Sequence, residues 1–314
     1  MPPARSLDPT SRVSVVLLSH NRPGMLPRAL DSVLAQTYPL REILVVDNPS
    51  QATPELRAMV RARPPARFVE NAENLGFAGG MNVGLDAVSG PLVYLTEDDL
   101  VLEPDCIAKL VEHFDRTPET AMASGTLVCD TDGSTLFAGG SFKVGRNFGM
   151  EMPGRGKPPE APGAPRKSGY VPGGSALAEV ALLRKLGGFR ADFFMYFEDV
   201  ELCARLLRAG RSLWVVPEAK VLHLDPPPAP KGAIHPFAFH KYKNLLAFYL
   251  LHAPPSVLPS FYARYGPLAI ARNLKNDRKM AEVQLRGWAW FLRHLPQLLR
   301  DRRKITRETE QPLT

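Results

Sequence analysis

Long hydrophobic runs are missing from this chain of 314 residues. A helix that spans a bilayer needs about 18 or more consecutive apolar residues, and no stretch approaches that. The first apolar segment, Val13–Leu18, is too short and too β-branched for a secretory signal core. Cysteine is scarce as well. Cys106, Cys129 and Cys203 are widely separated and have no CxxC spacing, so the pattern supports neither a zinc nor a disulfide framework. They read as small buried hydrophobes in a reducing compartment, and the expected location is cytoplasmic. Internal repeats at solenoid periods are also absent.

What is present is an ordinary globular composition. With 45% apolar and 23% charged residues, a sizeable core is available to one large α/β domain with an appendage, or to two modest domains. The net charge of +7 is unevenly placed: Lys231 to Thr314 hold fifteen Lys and Arg against five Asp and Glu, which leaves the preceding part slightly acidic. The basic excess belongs to the tail.

Along the first half, strand and helix signals alternate. Val13–Leu18 reads as a strand, followed by a Pro-started helix with Leu26, Ala29, Leu30, Val33 and Leu34 on one face. Glu42–Val46, Arg67–Glu70 and Leu92–Leu95 read as further strands, with helices over Pro54–Ala62, Phe77–Val88 and from Pro104. This predicts a doubly wound, mostly parallel, Rossmann-like sheet covered on both faces. Met122–Val144 reads as hairpins, and the Pro/Gly-rich Glu151–Ser168 as a mobile loop. Beyond lie a short strand near Tyr170, a Gly-Gly-Ser turn, helices at Val180–Leu186 and Glu198–Ala209, and strands at Ser212–Val216 and Lys220–Leu224. Pro226-Pro227-Pro228 marks a boundary. The organisation expected is an α/β domain at 1–228, with halves at about 12–128 and 129–228, then a basic, aromatic-rich helical extension at 229–314.

Open parallel sheets bind ligands at the carboxyl ends of their strands, and the conspicuous polar residues fall there. Ser19-His20-Asn21-Arg22 follow the first strand and Asp47-Asn48 the second. Asn71 and Asn74-Leu75-Gly76 follow the third, and Thr96-Glu97-Asp98-Asp99 the fourth. Each set is also a turn signal, but four successive strand ends converge on one rim. Asn74–Asn82 opens a helix that presents N–H groups to an anion or merely packs tightly. It is not GxGxxG and follows the third strand, which speaks against a dinucleotide fingerprint. The three carboxylates of Glu97-Asp98-Asp99 repel one another and call for a cation or full solvation. Mg²⁺ or Mn²⁺ would bridge them to a diphosphate. Glu198-Asp199 stand at a helix start behind the aromatic run Phe193–Phe197. They complement the helix dipole, or act as a general base beside an apolar wall. His223, ending the last strand, is either structural or an extra metal ligand.

Taken together, these blocks resemble family-2 inverting glycosyltransferases of the GT-A type, particularly bacterial rhamnosyltransferase-like enzymes. The resemblance rests on VSVVLLSHNRPGMLPRALDSVLAQTYPLREILVVDN, NLGFAGGMNVG, YLTEDDLVLEPD, and VPGGSALAEVALLRKLGGF leading into FFMYFEDVELCARLLRAG. It implies a GT-A fold in which the first half binds the nucleotide sugar and the second the acceptor. By resemblance, Asp47 contacts the nucleobase, with Ser19, Asn21 and Arg22 around the nucleotide. Asn74, Gly76 and Asn82 line the donor pocket, and Glu97 belongs to the same acidic step as the metal contacts Asp98 and Asp99. His223 supplements those two, and Gly173, Gly174 and Ser175 lie near the sugar. Glu198 and Asp199 face the acceptor, with Asp199 the base. The implied reaction moves a sugar from a nucleoside-diphosphate donor, with Mn²⁺ or Mg²⁺, to a hydroxyl of a glycan or lipid-linked acceptor in envelope or polysaccharide synthesis. Deoxythymidine-diphosphate rhamnose is the first donor suggested, uridine-diphosphate sugars the next. Three departures stand out: Thr96 where many relatives have an acid, Pro49 after Asp47-Asn48, and Arg190 in place of an acid after the Gly-Gly-Phe turn.

Two rivals are a sugar nucleotidyltransferase and a non-catalytic glycan-binding protein on the same fold. The former calls for a Gly-rich basic loop after the first strand, whereas Ser19–Gly24 holds one arginine and one glycine. In the tail, Trp288, Trp290 and several leucines mingle with arginines. Such a helix suits an anionic membrane at the inner face of the plasma membrane, or packs on the catalytic domain or a second subunit as a homodimer. Nucleic acid is not expected, since no binding motif accompanies the charge.

Overall fold

The computed structural model describes residues 7–308 except 9, 144–148, 162, 225–234 and 236. Four parallel strands, β1 (Val13–Ser19), β2 (Glu42–Asp47), β3 (Arg67–Glu70) and β4 (Leu92–Glu97), form one half of the sheet in the order β4-β1-β2-β3. Every residue of β1 is buried, as a central strand covered on both faces requires. Helices α1 (Leu26–Leu34), α2 (Thr53–Arg61) and α3 (Gly76–Ala87) make the crossovers. Prolines in the first turns of α1 and α2 fit positions where a backbone N–H is not needed. Gly84 lets α3 lie close on β1, because a Cβ there would meet Val16 Cγ1 at 2.3 Å.

After β5 (Leu100–Leu102) and α4 (Cys106–Arg116) comes β6 (Thr120–Cys129), all of it buried. Small strands β7 (Thr135–Phe137), β8 (Ser141–Lys143), β9 (Gly149–Glu151) and β10 (Arg166–Ser168) precede β11 (Ser175–Glu179) and α5 (Val180–Lys185). Helix α6 (Glu198–Arg208) and β12 (Ser212–His223) complete the sheet, whose main path runs β10-β12-β6-β11-β4-β1-β2-β3. On that path β1, β2, β3, β4, β6 and β12 run one way, and β10 and β11 the other. The sheet is therefore mixed with mostly parallel strands, as expected.

Details differ from the sequence reading for identifiable reasons. The hairpins expected from Met122 begin instead as one long strand, β6, because its neighbours bury both faces. Ser175, expected in the Gly-Gly-Ser turn, instead begins a strand, Ser175–Glu179, wedged antiparallel between β4 and β6. The two strands expected at 212–216 and 220–224 are one, with a register shift between Val215 and Lys220 around Pro217. The stretch expected as a mobile loop ends in β10, and its Gly156 and Lys157 exchange backbone hydrogen bonds of 2.8 Å with Thr135. The boundary expected at Pro226-Pro227-Pro228 lies outside the described residues.

Beyond it, α7 (Ala238–His252), α8 (Leu258–Ala263), α9 (Ala269–Asn276) and α10 (Arg278–Glu308) form the helical extension. Tyr249 stacks on Phe261 at 3.5 Å, and Tyr262 packs against Trp288 and Phe291 of α10. Both tryptophans of α10 are half-buried in internal contacts: Trp288 donates to Tyr265 O at 3.4 Å, and the Lys243 ammonium lies 4.2 Å from the Trp290 ring centre. No helix among the described residues is long and apolar enough to cross a membrane.

Candidate active site

Register aligns the rim. Ser19 lies opposite Asp47, Leu18 opposite Glu97, and Asp47 opposite Glu70, so the four parallel strands end side by side. Asp47 is fully buried; its Oδ2 accepts from Thr53 Oγ1 at 2.6 Å, while Oδ1 has no partner. Burial pushes its pKa up against the Thr53 hydrogen bond. Asn48, noted in the sequence only as a strand-end polar residue, ties the loops together. Its amide donates to Gly76 O at 2.9 Å, and its side-chain oxygen accepts from Asn71 Nδ2 at 2.9 Å and Leu75 N at 3.2 Å.

His20 donates from Nδ1 to Asn48 O at 2.8 Å, a direction fixed because a carbonyl only accepts. Its Nε2 meets the Asn74 amide at 3.3 Å, and Asn74 Oδ1 accepts from Gly76 N at 2.9 Å. Gly76 has φ +68°, and a Cβ there would lie 2.4 Å from Phe194 O. That carbonyl accepts from Ala78 N at 3.1 Å, so the opening turn of α3 is partly capped by protein rather than left open to an anion. Asn21, exposed, turns the chain with φ +55°.

At the acidic step the three carboxylates face different ways. Asp98 is 2% exposed; its Oδ2 accepts from Ser19 Oγ at 2.8 Å and His20 N at 3.1 Å, and its Oδ1 from Arg22 Nη1 at 3.2 Å. Burial pushes its pKa up to about 6, opposed by Arg22 and Ser19. The same Arg22 nitrogen pairs with Asp99 Oδ2, and His223 Nε2 approaches that oxygen to 3.9 Å. Glu97 instead lies over Gly174, where a Cβ would come 2.2 Å from Oε1. Burial, then repulsion from Asp99, pushes the Glu97 carboxyl well above the usual range.

Among the described residues, no group of three His, Cys, Asp or Glu is arranged to hold a metal. The expected set Asp98, Asp99 and His223 is thus not presented together, because Asp98 is drawn onto Ser19, His20 and Arg22. Asp99 and His223 do converge. A carboxylate oxygen and an imidazole nitrogen 3.9 Å apart fit either side of one ion at about 2.1 Å from each. Arg22 already places positive charge on this step, which shows what sign of partner the carboxylates favour.

Across the site, Asp199 Oδ2 accepts from Tyr170 Oη at 2.6 Å and Gly173 N at 3.4 Å, and Oδ1 accepts from Val200 N at 2.7 Å. Burial raises its pKa, opposed by Tyr170 and these amides. Glu198 is 5% exposed with Oε2 unpartnered; burial and then Asp199 push its carboxyl well up. The approach to both is conformationally strained, since Phe194, Tyr196 and Phe197 have φ of +66°, +67° and +70°. Helix α7 holds it. Asn244 Nδ2 shares its hydrogens among Phe193 O at 2.8 Å, Met195 O at 3.0 Å and Tyr196 O at 2.6 Å. Lys243 Nζ donates to Asp192 O and to Asn244 Oδ1, each at 2.6 Å, and burial brings its pKa down to about 8.

The structure therefore gathers Ser19, Arg22, Asp47, Asn74, Gly76, Glu97, Asp98, Asp99 and His223 around the rim, with Gly174 linking Glu97 to the Asp199 side. Two expected donor-pocket residues are engaged elsewhere. Asn82 exchanges two hydrogen bonds of 2.8 Å with the Phe189 backbone, and Ser175 is fully buried with its hydroxyl 3.2 Å from Tyr94 Oη. Tyr170, Lys243 and Asn244 have no site role in the sequence reading, because no motif marks them.

The profile of glycosyl transferase family 2 matches residues 14–184. N-acetylglucosaminyl-diphospho-decaprenol L-rhamnosyltransferase of Mycobacterium tuberculosis is 30% identical over 242 residues, 68% of this chain and 76% of that protein. Galactofuranosyltransferase GlfT1 of Mycolicibacterium smegmatis is 26% identical over 231 residues, 68% of this chain and 71% of that protein. Among solved structures, GalNAc-T7 with UDP, GalNAc and Mn²⁺ superposes with a TM-score of 0.62 at 17% identity, over 89% of this chain and 57% of that one. The mannosyltransferase PcManGT from Pyrobaculum calidifontis, in complex with GDP-Man and Mn²⁺, gives 0.55 at 20% identity, over 96% and 87%. At such identities the structural likeness speaks to the fold, which is that of the GT-A glycosyltransferases. The sequence matches go further: this chain belongs to glycosyl transferase family 2.

Proposed function

We propose that the chain is an inverting glycosyltransferase that moves rhamnose from a nucleoside diphosphate to a hydroxyl of a lipid-linked glycan, in polysaccharide or cell-wall synthesis. One observation carries the reading: carboxylates from opposite sides of the site meet at adjacent glycines. Glu97 lies over Gly174, and a Cβ on Gly173 would touch Asp199 Cβ at 3.0 Å. A sugar lying on these two glycines has the diphosphate step on one side and a base on the other, as in-line displacement requires.

In this reading the unpartnered Asp47 Oδ1 receives a ring N–H of the base, because a buried acceptor without a donor marks a ligand's place. Arg22 lies beside the phosphates. Asp199 Oδ1, with one lone pair engaged by Val200 N, takes the acceptor hydroxyl proton. The acceptor oxygen forms its bond to the anomeric carbon as the carbon–phosphate oxygen bond breaks, and the electron pair leaves with the nucleoside diphosphate. Glu198, whose carboxyl burial pushes well above the usual range, faces a sugar hydroxyl beside Asp199. Asp99 and His223 would hold a divalent ion, whose chemistry is to neutralise charge on the leaving diphosphate. The carboxylate suits Mn²⁺ or Mg²⁺.

The rhamnosyl donor and lipid-linked acceptor are supported by the mycobacterial relative. Uridine-diphosphate sugars are the second choice, supported by UDP in a structural neighbour. Residues 1–228 act as the catalytic domain at the inner face of the plasma membrane, with Lys243 and Asn244 of the extension completing its site. Thermal-shift titration with deoxythymidine-diphosphate rhamnose and uridine-diphosphate sugars, with and without Mn²⁺, tests this. The expected result is a Mn²⁺-dependent rise in Tm that disappears in Asp99→Ala and His223→Ala. An equal rise without metal, or in Asp99→Ala, overturns the metal assignment.

A further inference from the structure

We propose that the exposed sector of α10 is a docking surface for an anionic lipid bilayer, lying flat with Leu285, Leu292 and Leu299 among the headgroups. Large exposed hydrophobics among the described residues are confined to this part of the molecule: Leu268 65%, Leu274 52%, Leu285 50%, Leu292 57% and Leu299 39%. Isolated exposed leucines are ordinary, but the three on α10 share a line. Seven residues turn a helix by about 700°, so Leu285, Leu292 and Leu299 stay within about 40° of one another. They span about 21 Å along the axis. Arg286, Arg293 and Arg300 repeat at the same spacing, roughly 100° around from the leucines, and all three are exposed.

The face turned away from both rows is already occupied. Phe291 and Leu298 are buried within the extension, and both tryptophans make internal contacts. What remains outward is an apolar row beside a basic row, the arrangement of a helix lying in the plane of a membrane interface. Charge selects the occupant. Glu282 is the exposed acid on this sector, whereas Asp301 is engaged by Arg190 at 2.9 Å. A second copy of the chain would bring two arginine rows to one contact with little acid to answer them. A layer of lipid phosphates answers both rows at once. The Arg286 guanidinium rests over Phe239 at 5.2 Å and Arg300 bonds Gln297, contacts that leave their charge at the surface.

The test is co-sedimentation of the full chain with phosphatidylcholine vesicles containing or lacking phosphatidylglycerol, alongside analytical ultracentrifugation without lipid. Binding is expected to the phosphatidylglycerol vesicles, at least about tenfold tighter than to neutral ones and weakened by salt. Combining Arg286→Glu, Arg293→Glu and Arg300→Glu should weaken it by more than about a hundredfold, since about fivefold is lost per basic residue removed and each reversal adds an acid. Leu285→Ser, Leu292→Ser and Leu299→Ser together should weaken it more than about tenfold. Neither triple variant should change Tm or the Mn²⁺-dependent donor shift, so failure here is distinct from failure of the transfer reading. Equal binding to neutral and anionic vesicles, binding to neither, or full binding by the arginine variant would overturn the proposal. So would a wild-type dimer that the leucine variant converts to monomer.

Discussion

Gly174 lies so close under Glu97 that a methyl group on the glycine would sit 2.2 Å from the Glu97 Oε1. The atom in the way is the far end of a flexible side chain, so Gly174→Ala is accommodated by swinging the carboxylate aside. Tm should therefore fall little, while sugar transfer drops about a hundredfold, the scale of misplacing a reacting group by 1 Å. Parallel melting and transfer assays check this. A variant with full activity would show that Glu97 has no part in the site.

Tyr170→Phe removes the strongest hydrogen bond to Asp199 Oδ2. That bond stabilises the ionised carboxylate and opposes the upward push of burial, so its loss raises the Asp199 pKa further. A base must be ionised to work. The acidic limb of the kcat/KM profile should thus move to higher pH, with the plateau largely retained. An unmoved limb would mean that Asp199 is not the titrating base.

Asn244 braces the strained turn that delivers Glu198 and Asp199. Asn244→Ala deletes hydrogen bonds of about 1 kcal/mol each from a turn that holds three left-handed residues. The expected outcome is a fall in kcat of about 10- to 100-fold with a much smaller change in donor affinity, because Asn244 bonds Phe193, Met195 and Tyr196 and not the Phe194 carbonyl that meets α3. Steady-state kinetics and donor titration separate the two. A pure rise in donor KM would contradict it.

Glu201 and Arg205 form a buried ion pair of 2.7 Å on α6. Burial pushes the Glu201 carboxyl up, but Arg205 and His252 outweigh it and leave the pKa at about 2, against an ordinary 4.5. A carboxyl lowered on folding contributes stability in full above 4.5, and that stability is lost as pH falls towards 2. The loss should be about 3 kcal/mol, and it should be missing in Glu201→Gln. Denaturant titrations across that window measure it.

The half of the fold built on β1 to β4 is legible because buried parallel strands are apolar runs whose ends carry polar clusters. The second half was harder. Ser175–Glu179 is five residues behind a double glycine, and nothing local distinguishes a wedged strand from a turn. Pro217 made the single strand β12 look like two. In the site, adjacent Glu97 and Asp98 carry the same charge, yet one faces Gly174 and the other faces Ser19. That choice depends on the β1 loop, which a linear pattern does not reveal. Asn244 is distant in sequence from the turn it holds, and a lone asparagine in a helix carries no signal of tertiary contact.

Asp199→Asn keeps the shape of the base and removes its ability to take a proton. The decisive measurement is single-turnover sugar transfer by this variant, beside its donor affinity with Mn²⁺. Donor affinity within about threefold of wild type and transfer slowed about a thousandfold is the predicted result. Transfer at the wild-type rate would contradict the assignment of the base and, with it, the proposed reaction.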